Sequence, residues 1–181
     1  MLRACALMPL LAALALGADN ERDLFDGKSL DGWVVEGQKT FKDGGKDKPV
    51  WEVKYGMICV VTDKGGYGFL RYEKKQFTDF RLSLEYRFEK PPAESKRRGN
   101  SGVGIRSPLK GDPAYVGMEI QLIDDAGWPG KLQEWQHTGS IYNVVPAAKI
   151  NGKPIGEWNS MRVIARGRKV TIEHNGETLV D

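Results

Sequence analysis

The pattern of hydrophobic and polar residues predicts a protein built from short strands. Over residues 80–88, apolar side chains alternate strictly with polar ones. A period of two indicates a strand that buries one face. The apolar set consists of Phe80, Leu82, Leu84, Tyr86 and Phe88.

Other short segments bounded by glycine or proline are also compatible with strands. They are Trp51–Lys54, 101–107, 117–125, 139–145, 160–166 and Lys169–His174. The pair Asn175-Gly176 is typical of a hairpin turn, whereas residues 39–49 are dense in Gly, Lys and Asp and are interpreted as a loop. Many short strands and 22 glycines together predict an all-β sandwich or jelly roll.

The first 18 residues have the pattern of a secretory signal peptide. Arg3 precedes an apolar run over 4–16, and small residues follow it. The run is shorter than the roughly 20 residues that a membrane-spanning helix needs. We therefore expect a secreted or periplasmic protein with one domain over 19–181 and no stable membrane insertion. Because the chain stops just after a hairpin turn, we also expect C-terminal strands to be missing from it.

The charge and cysteine content of the chain argue against two kinds of function, nucleic-acid binding and catalysis by a cysteine nucleophile. The 27 basic and 24 acidic residues leave a net charge of only +3 and form no basic stripe, which disfavours nucleic acid as a partner. Removal of the signal peptide would leave Cys59 as the single cysteine, within the apolar stretch 57–61. We interpret it as a buried core thiol rather than a nucleophile.

Two of the predicted strands carry polar residues of an unusual kind. In 117–125, Glu119 and Gln121 share one face, while in 100–106 two glycines, Asn100 and Arg106 share another. If these strands are neighbours, they form a shallow groove with a glycine floor that suits a polyhydroxylated ligand. The alternative is that both are solvent faces of an ordinary antiparallel sheet.

The same strand argues against an ordinary glycosidase. Laminarinase-like jelly rolls place their carboxylates at alternate positions of one strand, but here those positions are Glu119, Gln121 and Ile123. The usual carboxylate pair is absent from this strand unless Asp124 turns in at a bulge.

Histidines and tryptophans supply further candidates. His137 lies close in sequence to the groove strands and is a candidate functional residue, whereas His174 beside the hairpin turn is predicted to be a surface residue. Trp128 and Trp135 follow the Glu119 strand and could stack on a sugar or pack as core. No spacing of His, Cys or carboxylates resembles a compact zinc motif.

An ordered set of motifs resembles a known family. LFDGKSLDGW, DFRLSLEYRF, NSGVGIR, GMEIQLIDD, TGSIY and GEWN occur in this order and are similar to those of bacterial 3-keto-disaccharide hydrolase domains, also described as 3-keto-glucoside 1,2-lyases or 3-keto-2-hydroxy-glucal hydratases. The resemblance covers nearly all of 19–181. It implies a concanavalin/laminarinase-like jelly roll that continues past Asn175-Gly176, and cleavage of the glycosidic bond of 3-keto-glycosides by β-elimination and hydration, a net hydrolysis.

This chemistry needs a base, a stabiliser for the enolate oxygen and an acid for the leaving group. By residue type and face, the catalytic candidates are Glu119, Asp124 and His137. The substrate-binding candidates are Asn100, Arg106, Gln121, Trp128 and Tyr142. Glu119 is alternatively a ligand for a divalent metal cation that would stabilise the enolate. Two other classes stay open: a non-catalytic carbohydrate-binding module, and a structural domain whose groove face is covered by protein.

Overall fold

A computed structural model describes residues 5–8, 13–14, 21–61, 68–91 and 98–181. Within these residues almost all regular structure is β-strand. The strands are β1 (Cys5–Met8), β2 (Ala13–Leu14), β3 (Glu21–Arg22), β4 (Trp33–Gly37), β5 (Thr40–Asp43), β6 (Lys46–Pro49), β7 (Trp51–Lys54), β8 (Met57–Val61), β9 (Gly68–Tyr72), β10 (Phe80–Tyr86), β11 (Asn100–Ile105), β12 (Met118–Ile123), β13 (Asn159–Arg166), β14 (Lys169–His174) and β15 (Glu177–Val180). The helical segments are α1 (Pro113–Val116) and a 3₁₀ turn (Glu134–Gln136).

The largest sheet is antiparallel and has the order β15-β14-β13-β10-β2-β3. As the alternation predicts, Phe80, Leu84, Tyr86 and Phe88 are buried, and Leu82 is half-buried. The predicted hairpin turn is confirmed, since Asn175 and Gly176 have φ values of 49° and 82°. Positive φ at both positions suits a two-residue turn between twisted strands.

The apolar face of the β11–β12 ribbon packs on this sheet. Ile120 and Leu122 from β12 belong to the same core cluster as Val163 from β13 and Ile172 from β14, and all four are fully buried. Burial of side chains of this size stabilises the fold by about 1.5–3 kcal/mol each. Because one face of β12 is committed to this core, Glu119 on the other face points away from it. The all-β jelly-roll sandwich is thus confirmed.

Smaller pairings complete the structure, and two of them correct the sequence predictions. Residues 39–49 are not a loop: β5 and β6 form a hairpin through Gly44-Gly45, with φ values of 58° and 79°. This glycine pair is a turn signal that the polar composition obscured. Conversely, 139–145 forms no strand and only bridges Ile141 to Ile120 and Val145. The buried thiol of Cys59 in β8 is confirmed, with 1% of the residue exposed.

The predicted signal peptide lies largely outside the described residues. Its described parts, β1 and β2, pair with β8 and β10 respectively. Cleavage after residue 18 therefore stays a prediction. No helix in the described part of the chain has the length and hydrophobicity to cross a membrane.

Candidate active site

The two strands that the sequence suggested as neighbours are paired. β11 and β12 are antiparallel, with Gly104 opposite Glu119 and Gly102 opposite Gln121. A Cβ added at Gly102 would lie 2.0 Å from Glu119 Oε1. The Glu119 side chain therefore lies across the bare backbone of Gly102, and glycine at this position makes room for the carboxylate.

A cavity of about 1650 Å³ includes this floor in its lining, which also extends to β4, β7, β8, β9 and β10 and to Val103 and Ile105 on the other face of β11. The cavity is large enough for a disaccharide, since pockets for small ligands usually measure roughly 300–1,000 Å³. Its lining includes Glu119 and five further site residues, namely Asn100, Arg106, Gln121, Trp128 and Tyr142. All the predicted substrate-binding residues thus line one groove with Glu119.

Burial raises the pKa of Glu119 to about 7, and the negative charge of Asp112 contributes to the same increase. Both causes disfavour the carboxylate, the first by removing water and the second by repulsion. A carboxyl group that titrates near neutral pH can accept a proton and later release it. This property is typical of a general base or acid.

Asp112 is a site residue that the sequence analysis missed. It lines the same cavity and caps α1, where its Oδ1 accepts a hydrogen bond of 3.0 Å from the Ala114 backbone N–H. The sequence signal was an Asp-Pro pair at a helix start. That signal indicates a cap, but it does not reveal that the cap faces Glu119.

Two amides lie beside the carboxylate. Gln121 is 3% exposed, and its Nε2 donates to Asn100 Oδ1 over 3.3 Å. This contact fixes the orientation of both side chains at the end of the groove nearest Ile123, which is opposite Asn100 in the register. Asn100 is the exposed amide of the pair, and the buried Gln121 holds it in place.

Aromatic residues border the groove. The Tyr142 backbone N–H donates to the Glu119 carbonyl over 2.8 Å, which ties the 138–145 segment to β12. Trp135 packs edge-on against the Tyr142 ring, with 5.0 Å between centroids. Trp135 therefore supports Tyr142, whereas Trp128 lines the cavity itself.

Arg106 occupies a different place from the one expected. It has a φ of 52° just beyond β11, and its exposed guanidinium donates to the Gly167 carbonyl in the turn between β13 and β14. It lines the cavity, but its Nη2 is engaged with the backbone of the main sheet rather than directed at Glu119.

The structure does not bring Asp124 and His137 into the groove. The Asp124 Oδ1 accepts from the Gly127 backbone N–H over 3.0 Å, in a turn, and the residue lines a separate cavity of about 250 Å³. His137 Nδ1 lies 2.7 Å from Asp125 Oδ1. These contacts order the corner after β12 and leave Glu119 without either residue as a partner.

The prediction for His174 is wrong, because the residue is fully buried. Its Nε2 lies 3.0 Å from the Tyr86 hydroxyl and its Nδ1 lies 2.6 Å from Asn151 Oδ1. Burial lowers the pKa of His174 to about 4, so the ring is neutral at physiological pH. Its place beside a turn suggested exposure, but β14 continues the in–out alternation of the core to its last residue.

The donor set for a metal is incomplete. Among the residues that the structure describes, no three His, Cys, Asp or Glu side chains converge in a way that could hold a metal ion. Glu119, the predicted ligand, has the nearby charge of Asp112 but no third such group in the described chain to complete a site. The described residues of this chain therefore do not by themselves complete a site for a divalent cation around Glu119.

Comparison with known proteins identifies the family of this chain. Residues 20–181 match the model of the 3-keto-alpha-glucoside-1,2-lyase-like domain. A curated relative, the 3-keto-disaccharide hydrolase of Bacteroides thetaiotaomicron, is 28% identical over 93% of this chain, which spans 60% of that protein's length.

Solved structures share the fold of this chain. A candidate glycosyl hydrolase from Parabacteroides distasonis is 29% identical and matches with a TM-score of 0.59 over 87% of this chain and 69% of that one. Another from the same organism, 23% identical, matches with a TM-score of 0.61 over 96% of this chain and 72% of that one and shares the fold. The family match spans nearly the whole chain, and the chain therefore belongs to the 3-keto-alpha-glucoside-1,2-lyase-like domain family.

Proposed function

We propose that this domain cleaves the glycosidic bond of 3-keto-glycosides by β-elimination followed by hydration, with Glu119 as the base. The observation that carries the proposal is a single carboxyl group with a pKa raised to about 7, held over Gly102 on the floor of a groove lined by amides and aromatic rings. Family membership and the name of the curated relative support a carbohydrate substrate.

The chemistry requires one base, together with a donor for the enolate oxygen and an acid for the leaving group. A ketone at C3 acidifies the hydrogen on C2, so the Glu119 carboxylate removes that proton and an enolate forms. The electron pair then returns to form the C1–C2 double bond as the bond from C1 to the glycosidic oxygen breaks. The leaving oxygen takes a proton, and water adds across the double bond to give the free 3-keto sugar.

The remaining groove residues have positioning and electrostatic roles. The exposed amide of Asn100, which Gln121 holds in place, supplies N–H donors for the enolate oxygen and the neighbouring hydroxyls, where preorganised donors act most strongly. Trp128 provides an apolar surface for the sugar ring. Tyr142 lines the same groove and provides a hydroxyl for the departing oxygen. Asp112 is a positioning residue whose charge keeps Glu119 basic enough to accept the C2 proton.

The test compares a 3-keto-glucoside with the same glucoside before oxidation. We expect the purified protein to release the aglycone from the 3-keto compound only, and Glu119→Gln to lower release by at least about 100-fold, the usual contribution of a general base. Glu177→Gln is the matched control, because Glu177 is an exposed glutamate outside the groove lining, and it should leave release unchanged.

Other outcomes would identify the competing functions. Binding of both glycosides without release would indicate a carbohydrate-binding module. Release that persists in EDTA would support chemistry by side chains alone, whereas loss of release in EDTA would return Glu119 to its predicted role as a metal ligand. We also propose that the domain acts outside the cytoplasm, which N-terminal sequencing of exported protein starting near residue 19 would support.

A further inference from the structure

The segment 107–117, between β11 and β12, is folded tightly onto one end of the groove. Gly117 approaches Ser107 so closely that a Cβ there would lie 2.1 Å from Ser107 Oγ, and a Cβ on Gly104 would lie 2.8 Å from Pro113 Cβ. The two ends of the segment are therefore held together, and α1 rests on the glycine floor.

This segment nevertheless exposes apolar side chains. Tyr115 is 79% exposed, Leu109 57% and Val116 47%, and all three line the cavity that contains Glu119. Single exposed apolar residues are common on protein surfaces, but three on one anchored segment that lines the cavity give this end of the groove apolar surface for a ligand group.

The groove thus changes polarity along its length. Asn100 and Gln121 mark an amide end, and Glu119 follows about 6.6 Å further along β12, since residues two apart on a strand are separated by that distance. Beyond Glu119 comes the 107–117 segment, which carries Asp112. The negative charge of Asp112 contributes to the raised pKa of Glu119. The order is amides, carboxylate, apolar surface.

We infer that the 107–117 segment is a subsite for an apolar aromatic aglycone, which stacks on Tyr115 while the 3-keto sugar lies on the amide end, with Leu109 and Val116 as the other exposed apolar side chains of the segment. This inference rests on the proposed function and specifies its substrate class. A glycoside with an aromatic aglycone has the same sequence of properties as the groove: a polyol, the bond to be broken, then an apolar ring.

The test uses benzyl and methyl 3-keto-glucosides of the same anomer. Their leaving alcohols have similar acidity, so a difference in kcat/KM reports binding of the ring rather than intrinsic reactivity. We expect the wild-type protein to prefer the benzyl compound by about tenfold or more, a size that burial and stacking of one ring supply.

Substitutions of Tyr115 then test whether the preference for the benzyl compound depends on this side chain. Tyr115→Ala should lower kcat/KM for the benzyl compound by about tenfold and change that for the methyl compound less than about twofold, while Tyr115→Phe should keep the wild-type preference. Tyr55→Ala is the matched control, because Tyr55 is 91% exposed and is not part of the groove lining. It should leave both values unchanged.

Results that contradict the aglycone subsite differ from results that contradict the proposed elimination. Equal kcat/KM for the two compounds in the wild type, or an equal loss for both in Tyr115→Ala, would overturn the aglycone subsite and leave the elimination intact. No release from either compound would overturn the proposed function and, with it, this inference.

Discussion

The carboxylate of Glu119 lies over the α carbon of Gly102 on the neighbouring strand, so that even one added carbon at Gly102 would meet Oε1 at 2.0 Å. The two residues are diagonal partners, since Gly102 is directly opposite Gln121 and Glu119 is opposite Gly104. This contact makes the position of the proposed base depend on the absence of a side chain at its neighbour.

Gly102→Ala should therefore displace the Glu119 side chain and lower kcat/KM for a 3-keto-glucoside by about 10–100-fold, because small misplacements of a reacting group are costly. Its circular dichroism and thermal midpoint should stay close to wild type, since the atoms that a Cβ would meet all belong to the Glu119 side chain, which can rotate away. Gly130→Ala is the control, because a Cβ there meets no atom within 4 Å. Unchanged activity in Gly102→Ala would show that Glu119 does not need its observed position.

The raised pKa of Glu119 predicts a pH profile. The base must be deprotonated, so kcat/KM should increase with pH and level off above about 7. Asp112→Asn removes the repulsive charge and should move the rise to lower pH. The measurement is kcat/KM against pH for both proteins. Coincident profiles would exclude Asp112 as an influence on the base.

The same pKa predicts a gain in stability on Glu119→Gln. The pKa of Glu119 in the folded protein is above its ordinary value of 4.5, so burial of the ionised carboxylate opposes folding. The contribution of the protonated group to stability is fully present below about pH 4.5 and is lost as the pH increases to about 7. At pH 8, Glu119→Gln should be more stable than wild type by about 1–2 kcal/mol, allowing for solvent screening of a partly exposed group. Urea unfolding at pH 4 and pH 8 tests this, since the two proteins should differ less at pH 4. Lower stability of the variant at pH 8 would contradict a free-energy cost of burying the ionised Glu119 carboxylate.

His174 predicts a loss of stability in acid. Its pKa is lowered from 6.5 to about 4 in the folded protein, so the unfolded chain binds a proton first as pH falls. Stability should be complete above about pH 6.5 and decrease by roughly 3 kcal/mol down to pH 4, which is the difference in pKa expressed as free energy. In His174→Gln this part of the pH dependence should disappear, whatever the absolute stability of the variant. An identical slope in both proteins would assign the acid sensitivity to other groups.

Those features of the fold that depend on local alternation can be predicted from the sequence. The strand around Leu84 and the hairpin at Asn175-Gly176 follow from side-chain periodicity and turn chemistry. The hairpin around Gly44-Gly45 escapes prediction because its strands are largely polar on both faces. The burial of His174 depends on contacts with Tyr86 and Asn151, which are distant in sequence.

The candidate site also contains residues that strand alternation predicts and residues that it does not. Alternation places Glu119 and Gln121 on one face of their strand and Asn100 on a face with two glycines, and the structure adds that the two strands are paired. Asp112 was missed, and His137 and Asp124 lie outside the groove, because loops decide those positions and a loop's path is not encoded in a simple period. The pairing of His137 with Asp125 could not be anticipated from alternation, since both residues follow β12 in irregular structure.

The most direct test of the elimination is the fate of the C2 hydrogen. A 3-keto-glucoside is cleaved by the protein in D₂O, and the released 3-keto-glucose is analysed at once by NMR, with 3-keto-glucose incubated alone to measure spontaneous exchange. We predict deuterium at C2 in the product, because Glu119 removes the original proton and hydration adds one from solvent. A product that keeps its original hydrogen at C2 would contradict the elimination and indicate direct hydrolysis at C1.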